Sequence, residues 1–327
     1  MNLKPLLTAS FILGVFSATC IAAEKVGPLA LPLAPAPPPS QEPTAPDTLP
    51  KPDDFRSRSL TCGAQVRWVD VELYTGSLGP STEFVASLHP HTGAIMWKSD
   101  ISGLFTAPGD DPGNVAGYPR CTGTLIGPDL LLTAAHCFAV DGQGWRTPRK
   151  GNRHNSATPV PPAGLAQLMY VNFNYELDAQ TGQARKPVRY DIDSLVEFGF
   201  DPAHQNLDFA VAKLKPGKDG SLPGNRFGQA LLDTTASGLA PATTLTLIQH
   251  PNGMPKKIAA GPVSQFSNDT LTYENLDSLG ASSGAGVYDS AGKIIGIHTN
   301  GGCPPAGMNS GLLLRAISSR HVSSIIK

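Results

Sequence analysis

Short stretches of alternating apolar and polar residues recur from about residue 60 onward. The clearest lie at residues 66–74, 169–175 and 243–248, and they are rich in Val, Thr, Leu, Tyr and Phe. A period of two with β-branched and aromatic side chains is typical of β-strands. Only the tail repeats apolar residues at helical spacing, and these residues are Leu314, Ile317, Val322 and Ile325. The pattern predicts an all-β domain that ends in a C-terminal helix.

The N-terminal part of the chain has a different pattern. Lys4 precedes an apolar run at residues 6–15, and small residues follow at 21–23. This arrangement predicts a cleaved signal peptide over residues 1–23, because the apolar run is too short to span a bilayer stably. Residues 24–59 are rich in proline and poor in aromatic side chains, which predicts an extended linker or a propeptide.

Composition and charge narrow the class of protein. Glycine and proline contribute 34 and 31 residues of 327, and charged residues only 16%, which favours short strands and turns over long helices. The formal net charge of −1 creates no field that would attract nucleic acid or an anionic membrane surface. We therefore expect a secreted or periplasmic protein with no nucleic-acid partner. A lipid anchor at Cys20 is the weaker alternative, because the residues before it make a poor lipoprotein signal.

The cysteine count is consistent with export. If Cys20 is removed with the signal peptide, the remaining cysteines are Cys62, Cys121, Cys137 and Cys303. An even number in an exported chain predicts two disulfides. Cys121 and Cys137 lie close together in the chain, and their pairing leaves Cys62 with Cys303. Four cysteines allow three connectivities, so this pairing is one of three.

An apolar strand pair places a histidine beside one of these cysteines. Residues 132–137 read Leu-Thr-Ala-Ala-His-Cys, which resembles the catalytic-histidine segment of chymotrypsin-fold serine peptidases. A disulfide next to His136 would hold its ring still, as a general base requires. The alternative is an ordinary buried histidine in a disulfide-bonded hairpin.

Two further segments resemble the same family. Residues 279–286 read Leu-Gly-Ala-Ser-Ser-Gly-Ala-Gly and resemble the nucleophile loop of bacterial glutamyl endopeptidases, which makes Ser283 the nucleophile. Asp208 opens an apolar strand of the family's Asp-x-Ala-x-x-x-Leu form, although alone it could be an ordinary strand-edge aspartate. The order His136, Asp208, Ser283 is that of chymotrypsin-like enzymes. The resemblance therefore implies a Ser-His-Asp triad.

The same loop also contains a different motif. Residues 280–284 have the form G-x-S-x-G, the nucleophile elbow of α/β-hydrolases, with Ser282 as the serine. That fold needs its acid and its histidine after the serine, but only 45 residues follow Ser282. No alternation of helices and strands precedes it in the sequence pattern. We therefore reject this interpretation.

Two residues of the loop depart from the family pattern. The resemblance places the oxyanion hole at the N–H groups of Ala281 and Ser283, but the first position is usually glycine. Ser282 stands where trypsin-type zymogens have the aspartate that binds a new N-terminus, so we expect no activation of that kind. Ala281 also motivates a rival hypothesis, a catalytically impaired peptidase-fold protein that acts as a secreted binding module.

Three residues are candidates for the substrate-specificity pocket. Asp277, followed by Ser278, resembles the pocket floor of trypsin, which attracts Lys or Arg side chains. His298 resembles the histidine with which glutamyl endopeptidases receive an acidic side chain. We expect an acidic residue at P1, with a basic residue as the alternative. A third interpretation pairs Asp277 with His298, in which case the two specify neither.

Two other polar clusters carry weak metal signals. His89 and His91 flank a proline without an accompanying set of acids or cysteines, so we expect a surface loop there. The run Asp110-Asp-Pro-Gly-Asn114 hints at calcium, but a polar turn explains it equally well. We expect no metal and no cofactor.

The resemblance implies a fold of two six-stranded antiparallel β-barrels with the site between them. We expect the first barrel at residues 60–222, with His136 and Asp208, and the second at 223–327, with Ser283 and the terminal helix. The expected partners are protein or peptide substrates, and the expected state is a monomer.

Overall fold

The computed structural model describes residues 66–139, 145–151, 157–201, 207–302 and 308–326. The expected signal peptide and proline-rich segment lie outside these residues. So do three of the five cysteines, which are Cys20, Cys62 and Cys303.

Short strands dominate the described residues, as the alternating pattern predicts. In chain order they are β1 (Val69–Asp70), β2 (Thr92–Trp97), β3 (Pro119–Leu125), β4 (Leu130–Thr133), β5 (Arg149–Lys150), β6 (Thr158–Pro159), β7 (Met169–Phe173), β8 (Val188–Asp201), β9 (Leu207–Leu214), β10 (Leu231–Leu232), β11 (Thr244–Gln249), β12 (Lys257–Phe266), β13 (Thr270–Tyr273), β14 (Gly286–Tyr288), β15 (Lys293–Asn300) and β16 (Asn309–Leu313). The α-helices are α1 (Thr82–Leu88), α2 (Pro162–Gln167), α3 (Pro223–Phe227) and α4 (Leu314–Ser319). Single turns of 3-10 helix lie at Val71–Leu73, His89–His91, Ile101–Leu104, Ala135–Cys137 and Pro251–Gly253.

Six antiparallel strands close the first barrel in the order β2–β3–β4–β9–β8–β7. Ile95 on β2, Val171 on β7 and Val211 on β9 point into its core and have no exposed surface. The longest strand, β8, pairs with β9 through two register shifts. Such bulges bend a strand and increase its twist, which helps a long strand follow the curve of a closed barrel.

The second barrel is closed by β11–β12–β13–β16–β15–β14, because β12 pairs with both β11 and β13 and β14 pairs back with β11. Its core is apolar and fully buried, with Leu245, Leu247, Leu271 and Val287 at its centre. The two barrels confirm the predicted fold class. The short strand β1 pairs with β12 of the second barrel, whereas the expected boundary placed it with the first.

The C-terminal helix is present but shorter than the apolar spacing predicted. Leu314 and Ile317 of α4 are buried, as expected. The helix ends at Ser319, and His321 adopts a left-handed φ of 51°, which ends a helix because regular turns cannot continue through it. Val322 therefore lies beyond the helix and is 41% exposed.

Three other helices were not predicted from the sequence pattern. Ser81 precedes α1, and its hydroxyl accepts a hydrogen bond from the N–H of Phe84 at 3.1 Å, which caps the helix. The helices α2 and α3 begin at Pro162 and Pro223, where the fixed φ of proline suits a first turn. Among the described residues, no helix has the length and apolar character needed to cross a bilayer.

A buried ion pair links the two barrels. Glu176, shortly after β7, accepts hydrogen bonds from Lys256 Nζ and from His89 Nδ1, each at 3.1 Å. Lys256 lies just before β12 and has no exposed surface. Its backbone N–H donates to the carbonyl of Tyr175 at 2.8 Å. An ammonium group without access to water depends on its partner, because desolvation of an isolated charge is costly.

The protonation of Glu176 follows from these contacts. Burial alone raises the pKa of Glu176, but the hydrogen bond from His89 and the charge of Lys256 outweigh it and lower the pKa from 4.5 to about 2. The folded state therefore favours the ionised carboxylate. This contribution to stability is present above about pH 4.5 and is lost as the pH falls toward 2.

We predict that Glu176→Gln lowers the free energy of unfolding at pH 7 by about 3–5 kcal/mol, because it leaves the Lys256 ammonium buried without a counter-charge. Urea denaturation measures this loss. The difference from the wild type is expected to shrink as the pH falls from about 4.5 toward 2, because the unfolded wild-type chain takes up a proton at Glu176 before the folded protein does. The exposed Glu274→Gln is the matched control and should change stability by less than about 0.5 kcal/mol. Equal losses in the two variants would contradict the role of the ion pair.

Candidate active site

His136 lies in the single 3-10 turn that follows β4. The neighbouring Cys137 forms a disulfide with Cys121 of β3, with 6.1 Å between the two Cα atoms. The guanidinium of Arg120 donates to the backbone oxygen of His136 at 2.7 Å and to that of Cys137 at 3.0 Å. The turn is therefore held by a covalent bridge and by a cation, which gives the imidazole a rigid support.

Asp208, the second residue of β9, fixes the orientation of this imidazole. Its Oδ2 lies 2.7 Å from His136 Nδ1, and its Oδ1 accepts the backbone N–H of His136 at 2.9 Å. The carboxylate thus holds both the ring and the main chain of the same residue. Because Nδ1 donates to the carboxylate, the basic lone pair is placed on Nε2. A histidine held in this way can accept a proton through Nε2 as a positioned general base.

Ser283 lies in the loop between β13 and β14 of the second barrel. Its backbone oxygen accepts the N–H of Thr122, on β3 of the first barrel, at 2.8 Å. The next residue, Gly284, donates its N–H to the carbonyl of His298 at 2.7 Å. The loop is therefore attached on one side to the first barrel and on the other side to β15.

The close approach of this loop to the first barrel requires a glycine. Gly284 has a φ of +87°, and a Cβ there would lie 2.0 Å from Thr133 Oγ1 and 2.9 Å from the backbone nitrogen of Ala134. Thr133 and Ala134 lead directly into the turn that carries His136. The residue after Ser283 thus packs on the segment before His136, so Ser283 and His136 lie at the same junction between the barrels.

Ala281 occupies a backbone conformation that favours glycine. Its φ is +67°, in the left-handed region, which costs an L-residue roughly 1–2 kcal/mol. The carbonyl of the preceding Gly280 accepts a hydrogen bond from the backbone N–H of Asn252. Because N–H and C=O of a trans peptide point in opposite directions, this bond directs the N–H of Ala281 away from Asn252.

The peptide before Ser283 is fixed in a similar way. The carbonyl of Ser282 accepts the N–H of Ala285 at 3.1 Å, which directs the N–H of Ser283 to the other side. The buried hydroxyl of Ser282 accepts the N–H of Leu279 at 3.1 Å and so bonds within the loop. Among the described residues, no protein group accepts the N–H of Ala281 or Ser283. Two donors are thus available to a ligand oxygen.

The expected pocket residues lie beside this loop and are buried. The Asp277 carboxylate accepts the backbone N–H of Arg67 at 2.9 Å, so it anchors the segment that precedes β1. The Ser278 hydroxyl donates to Asn309 Oδ1 at 3.1 Å, and Asn309 Nδ2 donates to the carbonyl of Leu276 at 2.8 Å. The side chains of Asp277 and Ser278 therefore have hydrogen-bond partners within the protein.

His298, on β15, pairs with a tyrosine. Its Nδ1 is hydrogen-bonded to the hydroxyl of the buried Tyr273. Burial, with a smaller contribution from His136, lowers the pKa of His298 to about 3, so its imidazole is neutral. Burial raises the pKa of the Tyr273 phenol well above its usual range, so the phenol keeps its proton and can donate to Nδ1. The other ring nitrogen, Nε2, then carries the proton.

Several residues at this site had no signal in the sequence. Arg120, Thr122, Tyr273 and Asn309 act through hydrogen bonds to partners that are distant in the chain. Arg120 and Thr122 flank Cys121, and this adjacency to a recognisable cysteine is the only sequence feature that could have drawn attention to them.

The structure corrects the expectation of a surface loop at His89 and His91. The His89 ring bonds to Glu176, and burial, followed by the charges of Lys256 and His89, lowers the pKa of His91 to about 4. These histidines belong to the polar cluster between the barrels.

The weak calcium signal is explained by ion pairs. Asp110 pairs with Lys150 at 3.1 Å and Asp111 with Arg146 at 2.9 Å. Within the described ranges, the one cluster with the spacing of metal ligands comprises Cys121, His136 and Cys137. Both of its sulfurs are bonded to each other in the disulfide, so they do not fit a metal site.

Two six-stranded antiparallel barrels with a serine, a histidine and a carboxylate at their junction are the architecture of chymotrypsin-type peptidases. Residues 121–297, more than half of the chain, match the sequence model of the trypsin-like peptidase domain. The chain therefore belongs to the trypsin-like peptidase domain family.

Two curated proteins are similar in sequence. The uncharacterized protein y4fB of Sinorhizobium fredii (strain NBRC 101917 / NGR234) is 28% identical over 189 residues, which cover 55% of this chain and 25% of that protein. The extracellular metalloprotease of Bacillus subtilis (strain 168) is 26% identical over 200 residues, which cover 58% of this chain and 53% of that protein. The chain thus spans about a quarter and about half of the lengths of these relatives.

A solved structure of a Glu endopeptidase in complex with MPD is also similar to this chain. The superposition has a TM-score of 0.48 with 16% sequence identity, and it covers 81% of this chain and 100% of the other.

We predict that Gly284→Ala destabilises the protein by about 2–5 kcal/mol, because its Cβ would overlap Thr133 Oγ1 and the backbone oxygen of Thr122 in a left-handed residue. Chemical denaturation measures the loss. Gly238→Ala is the matched control, since no atom lies within 4 Å of the added Cβ, and it should change stability by less than about 0.5 kcal/mol. A stability of Gly284→Ala equal to that of the control would show that the loop does not pack on the first barrel as described.

Proposed function

We propose that this chain is an exported serine endopeptidase in which Ser283 is the nucleophile, His136 the general base and Asp208 the orienting acid. The observation that carries the proposal is the two-point contact of Asp208 with the ring and backbone of His136. That contact leaves Nε2 as the basic nitrogen of a rigidly held imidazole. A serine hydroxyl is a weak nucleophile until such a base removes its proton.

The proposed reaction proceeds through an acyl-enzyme. His136 Nε2 accepts the proton of Ser283 Oγ as the oxygen attacks the peptide carbonyl. The N–H groups of Ala281 and Ser283 donate to the oxyanion that forms, and loss of one such donor costs on the order of 100- to 1,000-fold in turnover. His136 then returns its proton to the leaving amine, and a water molecule, activated by the same nitrogen, hydrolyses the ester.

The local contacts of Ser282 support a loop that does not depend on a new N-terminus. Trypsin-type enzymes, which the sequence resembles, use an aspartate at this position to bind an ammonium group. Here the Ser282 hydroxyl bonds to the N–H of Leu279 within the loop. We infer that removal of any propeptide would act in another way, for example by uncovering the substrate cleft.

We also propose that the enzyme prefers an acidic residue at P1. The Asp277 carboxylate is buried and already bonded to the backbone of Arg67, which disfavours its use as the receptor for a Lys or Arg side chain. His298 is neutral, and Tyr273 favours the tautomer with a proton on Nε2. This N–H can donate to a substrate carboxylate. The proposal thus relies on a neutral donor rather than on a full positive charge.

Export follows from the N-terminal pattern, and protein or peptide substrates follow from the proposed chemistry. The B. subtilis relative is described as extracellular, which is consistent with this location. A catalytically impaired binding module is the second candidate. The left-handed Ala281 motivates it, because a Cβ in the oxyanion segment strains the loop that must hold the donors.

We predict that a fluorophosphonate probe modifies Ser283 of the folded, processed protein. His136→Ala is expected to lower the labelling rate by about 1,000-fold or more, and Asp208→Asn by a comparable factor, because both remove the oriented base. Mass spectrometry of the labelled peptide distinguishes Ser283 from Ser282. Ser290→Ala, an exposed serine beyond β14, is the control and should react at the wild-type rate. A folded protein that does not react would favour the binding module.

We predict that peptides with Glu at P1 are cleaved at least about tenfold faster than matched peptides with Lys, as measured by kcat/KM near pH 7. The ratio of kcat/KM for peptides with Glu at P1 to kcat/KM for matched peptides with Gln measures recognition of the charge. Tyr273→Phe is expected to reduce this ratio by roughly tenfold, because it removes the hydrogen bond that orients His298. Tyr288→Phe, another buried tyrosine of the same barrel, is the control. Preferential cleavage after Lys or Arg would reject the acidic preference and leave the serine mechanism intact.

A further inference from the structure

Thr122 belongs to the first barrel, but its hydroxyl and its backbone N–H make three hydrogen bonds to segments of the second. It has no exposed surface and follows Cys121 directly on β3. Its hydroxyl donates to the carbonyl of Ala281 at 2.7 Å and accepts the N–H of His250 at 3.1 Å. Its backbone N–H donates to the carbonyl of Ser283 at 2.8 Å.

These contacts complete a row of fixed carbonyls in the loop that carries the proposed nucleophile. The carbonyl of Gly280 is bonded to Asn252 and that of Ser282 to Ala285. Thr122 binds the other two, those of Ala281 and Ser283. Each of four consecutive carbonyls therefore has a hydrogen-bond donor. Because a peptide unit is planar, a fixed carbonyl also fixes the N–H on the same unit.

The hydroxyl of Thr122 also joins the loop that carries the proposed oxyanion hole to a turn that supports this loop. One segment is the loop at residues 280–283, and the other is the turn Pro251–Gly253. Thr122 Oγ1 binds the first segment through Ala281 and the second through His250, which directly precedes that turn. The same turn supplies the N–H of Asn252, which donates to the carbonyl of Gly280. One hydroxyl group thus holds the loop and the turn in a fixed position relative to each other.

The hydrogen bond from Thr122 stabilises the backbone of Ala281, which stands where the family usually has glycine. A left-handed φ is unfavourable for alanine, so the loop could relax by rotating the peptides on either side. Rotation of the peptide after Ala281 would leave the Ala281 carbonyl without its donor and the buried Thr122 hydroxyl without its acceptor. Leaving such groups unsatisfied costs about 1–3 kcal/mol each. This cost is comparable to the strain itself.

We infer that Thr122 is a positioning residue for the oxyanion hole. Its hydroxyl fixes the peptide between Ala281 and Ser282, which joins the two peptides that carry the Ala281 and Ser283 N–H groups, and so keeps both groups directed at the reacting carbonyl oxygen. The inference rests on the proposed serine mechanism. Thr122 is fully buried and binds the backbone of the loop, so it acts through the backbone that it holds. Its effect belongs to the transition state, where the negative charge on the oxygen develops.

The test compares Thr122→Val, Thr122→Ser and Thr124→Val in the full processed protein. Valine keeps the shape of threonine but removes the hydroxyl, whereas serine keeps the hydroxyl and removes the methyl group. Thr124 is a buried threonine two residues further along β3, and its hydroxyl accepts the N–H of Gly286 at 3.3 Å. It therefore controls for the loss of a buried threonine hydroxyl at the barrel interface.

We expect Thr122→Val to lower kcat by about 10- to 100-fold with KM within about threefold of the wild type, because only transition-state stabilisation is lost. The rate of fluorophosphonate labelling and the affinity for a peptide boronic acid should fall in parallel. Thr122→Ser should stay within about threefold of the wild type in all three measurements. Thr124→Val should do the same.

The outcomes separate this inference from the proposed function. A wild-type protein that does not react with the probe rejects the serine mechanism and the inference with it. A reactive wild type whose Thr122→Val variant has unchanged kcat, or a change in KM alone, rejects only the role of Thr122. A tenfold loss in Thr124→Val equal to that in Thr122→Val also rejects it. If the valine variant does not fold, Thr122→Ser decides, since a tenfold loss of kcat there would assign the effect to the methyl group.

Discussion

The backbone hydrogen bond from Thr122 to Ser283 joins the barrel that carries His136 to the barrel that carries Ser283. A site divided in this way is only as precise as the contact between its two supports, since proton transfer requires hydrogen-bond distances. The disulfide at Cys137 and the carboxylate of Asp208 hold one side rigid. The close packing at Gly284 holds the other side against it. The buried pair of Glu176 and Lys256 adds a second attachment between the barrels.

The left-handed backbone of Ala281 is the strained feature of this junction. Conformations of this kind persist only where the surrounding structure overdetermines them. Here the neighbouring carbonyls are bonded to Asn252 and Thr122, so relaxation of the loop would leave buried polar groups without partners. The alanine is therefore compatible with a competent oxyanion hole, provided that these bonds hold.

Recognition in the proposed pocket depends on burial more than on net charge. An isolated imidazole surrounded by protein stays neutral, and His298 accordingly has a pKa of about 3. Its value to an acidic substrate then lies in the direction of one N–H, which Tyr273 sets through the opposite ring nitrogen. Asp277 is a weaker candidate for binding a cationic substrate side chain, because its buried carboxylate already accepts the backbone N–H of Arg67.

The sequence by itself determined the class of fold and the candidate residues, because strands with a period of two and strings such as Leu-Thr-Ala-Ala-His-Cys are local features of the chain. It also predicted a terminal helix, although not its end at Ser319, which depends on the conformation of His321. Only the tertiary structure decided what surrounds these residues. Thr122 and Ala281 are 159 residues apart, and His136 and Asp208 are 72 apart. Likewise, the sequence does not show that His89 belongs to a buried polar cluster, because its partner Glu176 and the neighbouring Lys256 are distant in the chain. Hydrogen bonds between distant segments leave no pattern in either segment, since each partner is an ordinary polar group until the barrels bring the two together.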